Sequence, residues 1–260
     1  MHSWLMPVRA SLVSALLVLS IGCGRLAFQT VEGRDAGTDQ GDPGSDLGPD
    51  DAGGEPDAGV TGFALGCSFP SITVILDGDA NDTQAGTTMA SAVASGCMQS
   101  PAISMVDQTQ AGLLDPTTFA PLFGATTLGV LGGDSLVQNV MQYLTMSSAP
   151  VRATFPAGRY VVTERAGGTV VLDVAIGDIS TSHDYGVVQI IRDTPSNSTV
   201  VAAHGYIAQG TLAAAHYFAT VIAPSLPAET RAYFVLEWTD GNADTIPNAG
   251  DTFTLLADGA

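Results

Sequence analysis

The chain has 260 residues, 45% hydrophobic and 7% aromatic, enough to bury one or two cores. Its 26 acidic residues face 8 basic ones, all of them Arg, for a formal net charge of −18. That balance argues against DNA or RNA as a partner, because nucleic-acid affinity rests on basic side chains neutralising phosphates; it suits solubility outside the cell and cation binding.

The first element is a short apolar run, Ala10 to Leu19, preceded by Arg9. A permanent transmembrane helix needs about 20 apolar residues, so this run has the proportions of a signal-peptide core. It ends in Ser20-Ile21-Gly22-Cys23, which resembles a lipobox, although Ser20 stands where Leu is usual and Leu19 lies one place further back. Residues 1–23 are therefore expected to be a lipoprotein signal, with Cys23 as the lipidated residue and a membrane as the partner of the anchor; the alternative is an ordinary secretory signal. Gly24 follows the Cys, with no Asp retention signal, which in a double-membrane cell favours the outer membrane or cell surface. If lipid takes Cys23, Cys67 and Cys97 remain, and a pair in an oxidising compartment reads as a disulfide. The alternative is two separate buried thiols.

Residues 24–60 read as an acidic linker. From Val31 to Val60 the chain is dominated by Gly, Asp and Pro, with almost no large apolar residue to offset the entropy of ordering, and its like charges repel. Residues 61–260 form the expected folded domain. Strands are predicted at Ser71–Leu76, Ala102–Val106 and Thr126–Leu131, and helices at Thr87–Ser95, after Asp115-Pro116, and at Ser135–Leu144. This alternation predicts an α/β fold: a layered, mostly parallel sheet with flanking helices. The C-terminal half adds antiparallel strands: a hairpin of Arg159–Glu164 and Thr169–Val174 across Gly167-Gly168, strands at Gly186–Ile191, Thr199–Ala203, Arg231–Trp238 and Thr252–Leu256, and a helix at Thr211–Ile222.

Three patches resemble archaeal surface-layer (S-layer) proteins: Ile72–Ser95, Val130-Leu131-Gly132-Gly133 followed by Asn139, and Gly186–Ala215. The chain departs from that pattern at Asp134, where Pro would stand, at His204 before Gly205, and at Gln209-Gly210 before Thr211. The resemblance implies an α/β envelope domain with other surface proteins or envelope glycans as partners.

Several segments carry candidate chemistry. Asp240, Asn242, Asp244, Asn248 and Asp251 occupy positions 1, 3, 5, 9 and 12 of a twelve-residue stretch. Oxygen side chains so spaced can wrap a loop around Ca²⁺, which takes six to eight oxygens. The pattern is similar to dockerin-type calcium loops, with Thr245 replacing the usual Gly; the alternative is a polar hairpin loop of Asx turns. Asp77-Gly-Asp79-Ala-Asn81-Asp82 begins the same way but has Thr88 at the twelfth position, and reads as a solvated loop. Gly133-Asp134-Ser135-Leu136 spells the GDSL motif of a hydrolase family, which would make Ser135 a nucleophile, but no Asp-x-x-His occurs in the chain. His183, His204 and His216 are the available bases: His183-Asp184 reads as loop, His204 as a strand end, and His216 as a helix packing residue. Asp134 or Ser135 serves equally as a helix cap. Gly132-Gly133 before a helix can cradle an anion but is not a dinucleotide fingerprint or a P-loop. Tyr217, Phe218, Tyr233, Phe234 and Trp238 read as core. The expected function is a non-enzymatic, lipid-anchored envelope domain, possible alternatives being a serine esterase using Ser135 and a small-ligand-binding lipoprotein.

Overall fold

The computed structural model describes residues 67–97, 99–133 and 138–260. Cys23, the signal, the acidic linker, Asp134 and Ser135 lie outside the described residues. The described fold is mixed α/β. Its elements are β1 (Ser71–Leu76), α1 (Ala80–Ser95), β2 (Ala102–Asp107), β3 (Thr127–Gly132), α2 (Asn139–Ser147), β4 (Val151–Thr154), β5 (Arg159–Glu164), β6 (Val170–Ala175), β7 (His183–Asp193), β8 (Ser198–Gly205), α3 (Ala208–Tyr217), β9 (Tyr233–Thr239) and β10 (Thr252–Gly259).

One sheet has seven strands in the order β10-β9-β7-β8-β3-β1-β2; β4-β5-β6 make a second, antiparallel sheet. The expected mostly parallel sheet is not what forms. The pairs β1–β2, β1–β3 and β3–β8 are parallel, whereas β7–β8, β7–β9 and β9–β10 are antiparallel. The reason is connection length. Parallel neighbours need a crossover, which α1 supplies between β1 and β2, while β7 and β8 are joined by a tight turn with Asn197 at φ 50° and can only run antiparallel.

Side-chain alternation assigns the layers. Val74, Val130, Val201 and Phe234 face α1 and α3, meeting Ala85, Met89, Val93, Ala214 and Phe218. Their neighbours Ile75, Leu131, Val200 and Ala202 face the opposite side and meet Val140, Met141 and Leu144 of α2. On that same side, Tyr185, Val187, Tyr233 and Val235 pack on Val151, Tyr160, Val162 and Leu172 of the small sheet. Among the described residues no helix is long and apolar enough to cross a membrane.

Local chemistry explains where elements start earlier or later than predicted. α1 begins at Ala80 because Asp79 caps it, accepting from Asn81 N at 2.7 Å and Asp82 N at 3.2 Å. The helix predicted after Asp115-Pro116 does not form. Asp115 accepts from Thr117 N, Thr118 N and Thr118 Oγ1 as a helix cap would, but Phe119 turns out at φ 62° and the segment stays a turn. α2 starts at Asn139, and its last carbonyls are taken by Arg165, with Nη2 donating to Thr145 O at 2.7 Å and Nη1 to Met146 O at 3.3 Å, while Nε donates to Ala149 O just past the helix at 2.7 Å. Cys67 and Cys97 lie at disulfide distance, Cα atoms 5.2 Å apart, tying the start of the domain to the end of α1. Of the aromatic residues read as core, Trp238 and Phe218 are fully buried and Tyr233 and Phe234 nearly so, while Tyr217 is only partly buried against the core.

Candidate functional site

The carboxyl ends of the parallel strands β2, β1, β3 and β8 meet at one edge of the sheet, where α/β folds commonly bind ligands. Close packing shapes this edge. A Cβ on Gly132 would stand 2.5 Å from the Asp82 carbonyl, so glycine is what lets the start of α1 settle against the end of β3. Gly133 N already donates to Ala203 O at 2.9 Å, so that amide is committed to the protein rather than to a bound anion. Gln138 is buried and its Nε2 donates to Gly132 O, while its Oε1 has no partner among the described residues. At the end of β2, a hollow of about 320 Å³ is lined by Gln108, Thr109, Leu114, Asp115, Phe119 and Asn139. Gln108 Oε1 receives Asn139 N at 2.9 Å, linking that hollow to the start of α2. Asp107 lies beside it, held below the usual carboxylate range by Thr109 Oγ1 and Thr109 N.

His204, at the end of β8, is 2% exposed. Val151 N donates to Gln189 Oε1 at 3.3 Å, which fixes the amide so that Gln189 Nε2 faces His204 Nε2 at 3.0 Å. His204 Nε2 then accepts, and the proton of the neutral ring sits on Nδ1, a buried atom with no partner. Burial pushes the pKa of His204 down to about 4. Among the described residues no carboxylate interacts with the ring, so none orients it as a catalytic base is oriented.

His183 is different. It opens β7 rather than lying in a loop, and its Nε2 meets Glu237 Oε1 at 2.7 Å while Nδ1 meets Asp178 O at 3.1 Å. Both partners are acceptors, so the ring is held as a two-way donor, and the Glu237 hydrogen bond raises its pKa. His216 stacks on Phe253 with centroids 5.2 Å apart, the packing role its helical position suggests, and burial lowers its pKa.

Asp184 was invisible as a site in the sequence. Its side chain is fully buried, and it accepts from Tyr185 N (2.7 Å), Ile207 N (3.1 Å) and Gly210 N (2.6 Å). It therefore ties β7 to the first turn of α3. Burial pushes its carboxyl up to about 7, against the lowering pull of those three N–H groups. Gly210 has to be glycine, since a Cβ there would meet Asp184 Oδ2 at 2.6 Å. Gln189 had a legible signal: a lone amide inside the apolar run GVVQII marks a buried polar group that must find a partner.

The C-terminal loop between β9 and β10 brings Asp240, Asn242, Asp244, Asn248 and Asp251 together. Asp240 accepts from Asn242 N, Ala243 N and Thr245 N; Asp244 accepts from Ile246 N and Asn248 Nδ2; Asp251 accepts from Gly241 N, Asn248 N and Trp238 Nε1. The loop is thus a chain of Asx turns, with Ala243 and Thr245 at positive φ, 62° and 60°. Among the described residues no group of three or more His, Cys, Asp or Glu side chains stands as a metal cluster; Asn oxygens are outside that set. Asp79 caps α1 and Asp77 Oδ1 receives Asp79 N at 2.9 Å, while Asp77 Oδ2 is buried with no partner among the described residues.

No family model, no curated protein and no solved structure matches the chain.

Proposed function

We propose that this chain is a lipid-anchored envelope protein whose folded domain is a non-enzymatic interaction module. One observation carries the reading. In a chain of net charge −18, no charged residue occurs between Asp82 and Asp107, a span that includes most of α1 and nearly all of β2. The outward residues Gln84, Ser91 and Ser95 of α1 and the whole of Ala102–Met105 are exposed, with Ile103 at 44% and Met105 at 51%. A neutral face with apolar side chains, on a protein that otherwise repels its own kind, suits contact with another macromolecule. The lipobox-like Ser20–Cys23 supports the anchor, and the likeness of three patches to S-layer proteins supports an envelope setting. The test is fractionation and chemical cross-linking on intact cells. Wild type should pellet with membranes and appear in larger cross-linked species, and Cys23→Ser should release it. A wild type that stays in the soluble fraction overturns the anchor, and the absence of any larger species overturns the interaction.

The same reading gives Ca²⁺ to the loop of Asp240, Asn242, Asp244, Asn248 and Asp251, as a structural ion. The gathering of these oxygen side chains in one turn-rich loop supports it. Ca²⁺ should raise the melting temperature of wild type and leave Asp240→Ala/Asp244→Ala unchanged; no shift in wild type ends the calcium reading. A second reading, a small-ligand-binding lipoprotein, is favoured by the hollow of about 320 Å³ at the carboxyl end of β2. Ligand protection of Gln108 and Asn139 amides from exchange would select it.

A further inference from the structure

We infer that the free edge of β2 receives a second copy of this chain, strand to strand and antiparallel, about a two-fold axis through Ser104. This rests on the reading of the neutral face as the interaction surface.

Among the described residues β2 pairs only with β1. Ala102 N donates to Pro70 O and Gln108 N to Leu76 O, so in the alternation of a parallel ladder the N–H groups of the even-numbered residues point at β1. The N–H and C=O groups of Ile103 and Met105 then point outward, in the direction a further strand would approach. Edge strands in monomeric proteins carry charge, Pro or a bulge that blocks such pairing. The other edge of the sheet has these devices: β10 is bulged between Leu255 and Ala257 and carries Asp258, which pairs with Arg231 at 2.7 Å. β2 has Pro101 just before it and a charge at its last residue, Asp107, but the five residues between, Ala102 to Val106, carry neither charge, Pro nor bulge.

Two features favour a second copy as the occupant. The first is charge. Two chains of net charge −18 repel, and the span from residue 83 to 106 is one of the uncharged spans, residues 194–228 being another; it is the one that lies on an open strand edge, so copies meeting there oppose no carboxylate from that span. The second is register. Antiparallel pairing centred on Ser104 sets Ile103 against Met105 of the second copy, and both members of that pair have outward-pointing backbone groups, as a hydrogen-bonded pair requires. Ile103 and Met105 lie on the α1 side of the sheet, opposite Ile72 and Val74 in register, so apolar meets apolar there. On the other side Ala102 meets Val106, and Ser104 meets its own copy. The strand is self-complementary, as an isologous interface must be. The two sheets would join into one continuous sheet across the axis.

The test uses the full mature chain, lipidated and in detergent, with mass measured by sedimentation. Ser104 faces its copy as a non-hydrogen-bonded pair, Cα atoms about 4.5 Å apart, a spacing a disulfide spans. Ser104→Cys should therefore cross-link to a covalent dimer on mild oxidation, and Thr254→Cys on β10 should not. Ile103→Lys/Met105→Lys should weaken the dimer at least about tenfold; because that variant is read by mass alone, it tests the proposal even if Ser104→Cys folds poorly. A wild type monomeric at about 100 μM overturns the inference, and so does a dimer that neither forms the Ser104→Cys cross-link nor responds to the Lys variant. The two failures separate on whole cells. If wild type is monomeric but the Lys variant loses a larger cross-linked species, the face binds something else and only the second copy is lost. If the Lys variant changes no species, the interaction reading of the face falls as well.

Discussion

The two halves of the seven-stranded sheet are held by different means. In the parallel half, β2-β1-β3-β8, the contacts are apolar: Val74, Leu128, Val130 and Val201 against Ala85, Met89 and Ala214. In the antiparallel half, β7-β9-β10 and the small sheet, buried polar groups do the tying. Asp184 holds the start of α3, Gln189 takes Val151 N from β4, and Tyr233 donates to Glu164 at 2.5 Å. Apolar packing fails gradually, because neighbours relax into a cavity, whereas a buried acceptor serving several N–H groups fails all at once.

Asp184→Ala should break the comparison most sharply. It leaves the N–H groups of Tyr185, Ile207 and Gly210 without their acceptor in a buried place, and the expected loss is about 4 kcal/mol of unfolding free energy. Leu128→Ala, in the parallel half, should cost about 3 kcal/mol. Urea unfolding of both variants checks the order. If Leu128→Ala costs clearly more, polar ties do not dominate the antiparallel half. Next is the covalent tie of the parallel half. Cys67→Ser or Cys97→Ser removes a closure spanning 30 residues and should cost about 3 kcal/mol, with non-reducing mass analysis confirming the bond in wild type.

The antiparallel half also predicts a hidden pH dependence. Asp184 titrates near 7 when folded and near 3.8 when unfolded, so its contribution to stability is complete below about 3.8 and is lost as pH rises towards 7. His204 titrates near 4 when folded and near 6.5 when unfolded, so its contribution is present above about 6.5 and is lost as pH falls towards 4. Between pH 4 and 6.5 the two slopes oppose each other, and these groups should leave the wild-type profile nearly flat. Asp184→Asn unmasks His204, and stability should rise with pH by about 2 kcal/mol over that window; His204→Gln should make it fall by a similar amount. Parallel profiles for all three proteins would show that the two groups do not titrate as described.

The strands of both halves were legible in the sequence: Arg159–Glu164 is β5 to the residue, and Thr169–Val174 is β6 to within one. Apolar runs such as SITVIL and TTLGVL are long enough to mark buried strands, and Asp79 marks a helix cap once the helix is known to begin at Ala80. What could not be read was β4: Val151–Thr154 is too short to show a period, and it is placed by Gln189 from another strand. Asp184 beside His183 reads as a loop by composition, and only tertiary contact with Gly210 turns it into a buried anchor. Asp115-Pro116 gave a correct cap and a wrong helix, because a cap satisfies the first N–H groups whether or not a second turn follows. The five oxygen residues between Asp240 and Asp251 are gathered in one loop, as their spacing suggested, yet the same spacing also serves Asx turns. Sequence could not separate those outcomes because both use the same side-chain oxygens, as acceptors in one case and as metal ligands in the other.

The smallest effect concerns the partly exposed pair at the start of β7. Glu237 raises the pKa of His183, so the pair's contribution to stability is complete below about 6.5 and is lost as pH rises through the folded value. A pair this close to solvent contributes well under about 1 kcal/mol, too little to read from unfolding. The His183 ring resonances by NMR are the better measurement. Their midpoint should lie above 6.5 in wild type and fall in Glu237→Gln, where the acceptor at Nε2 loses its charge but the Asp178 carbonyl still meets Nδ1. If the midpoint stays high in Glu237→Gln, the carbonyl alone orients the ring. His183 would then be held by the backbone of the turn before β7, and the polar ties of the antiparallel half would be confined to its buried interior.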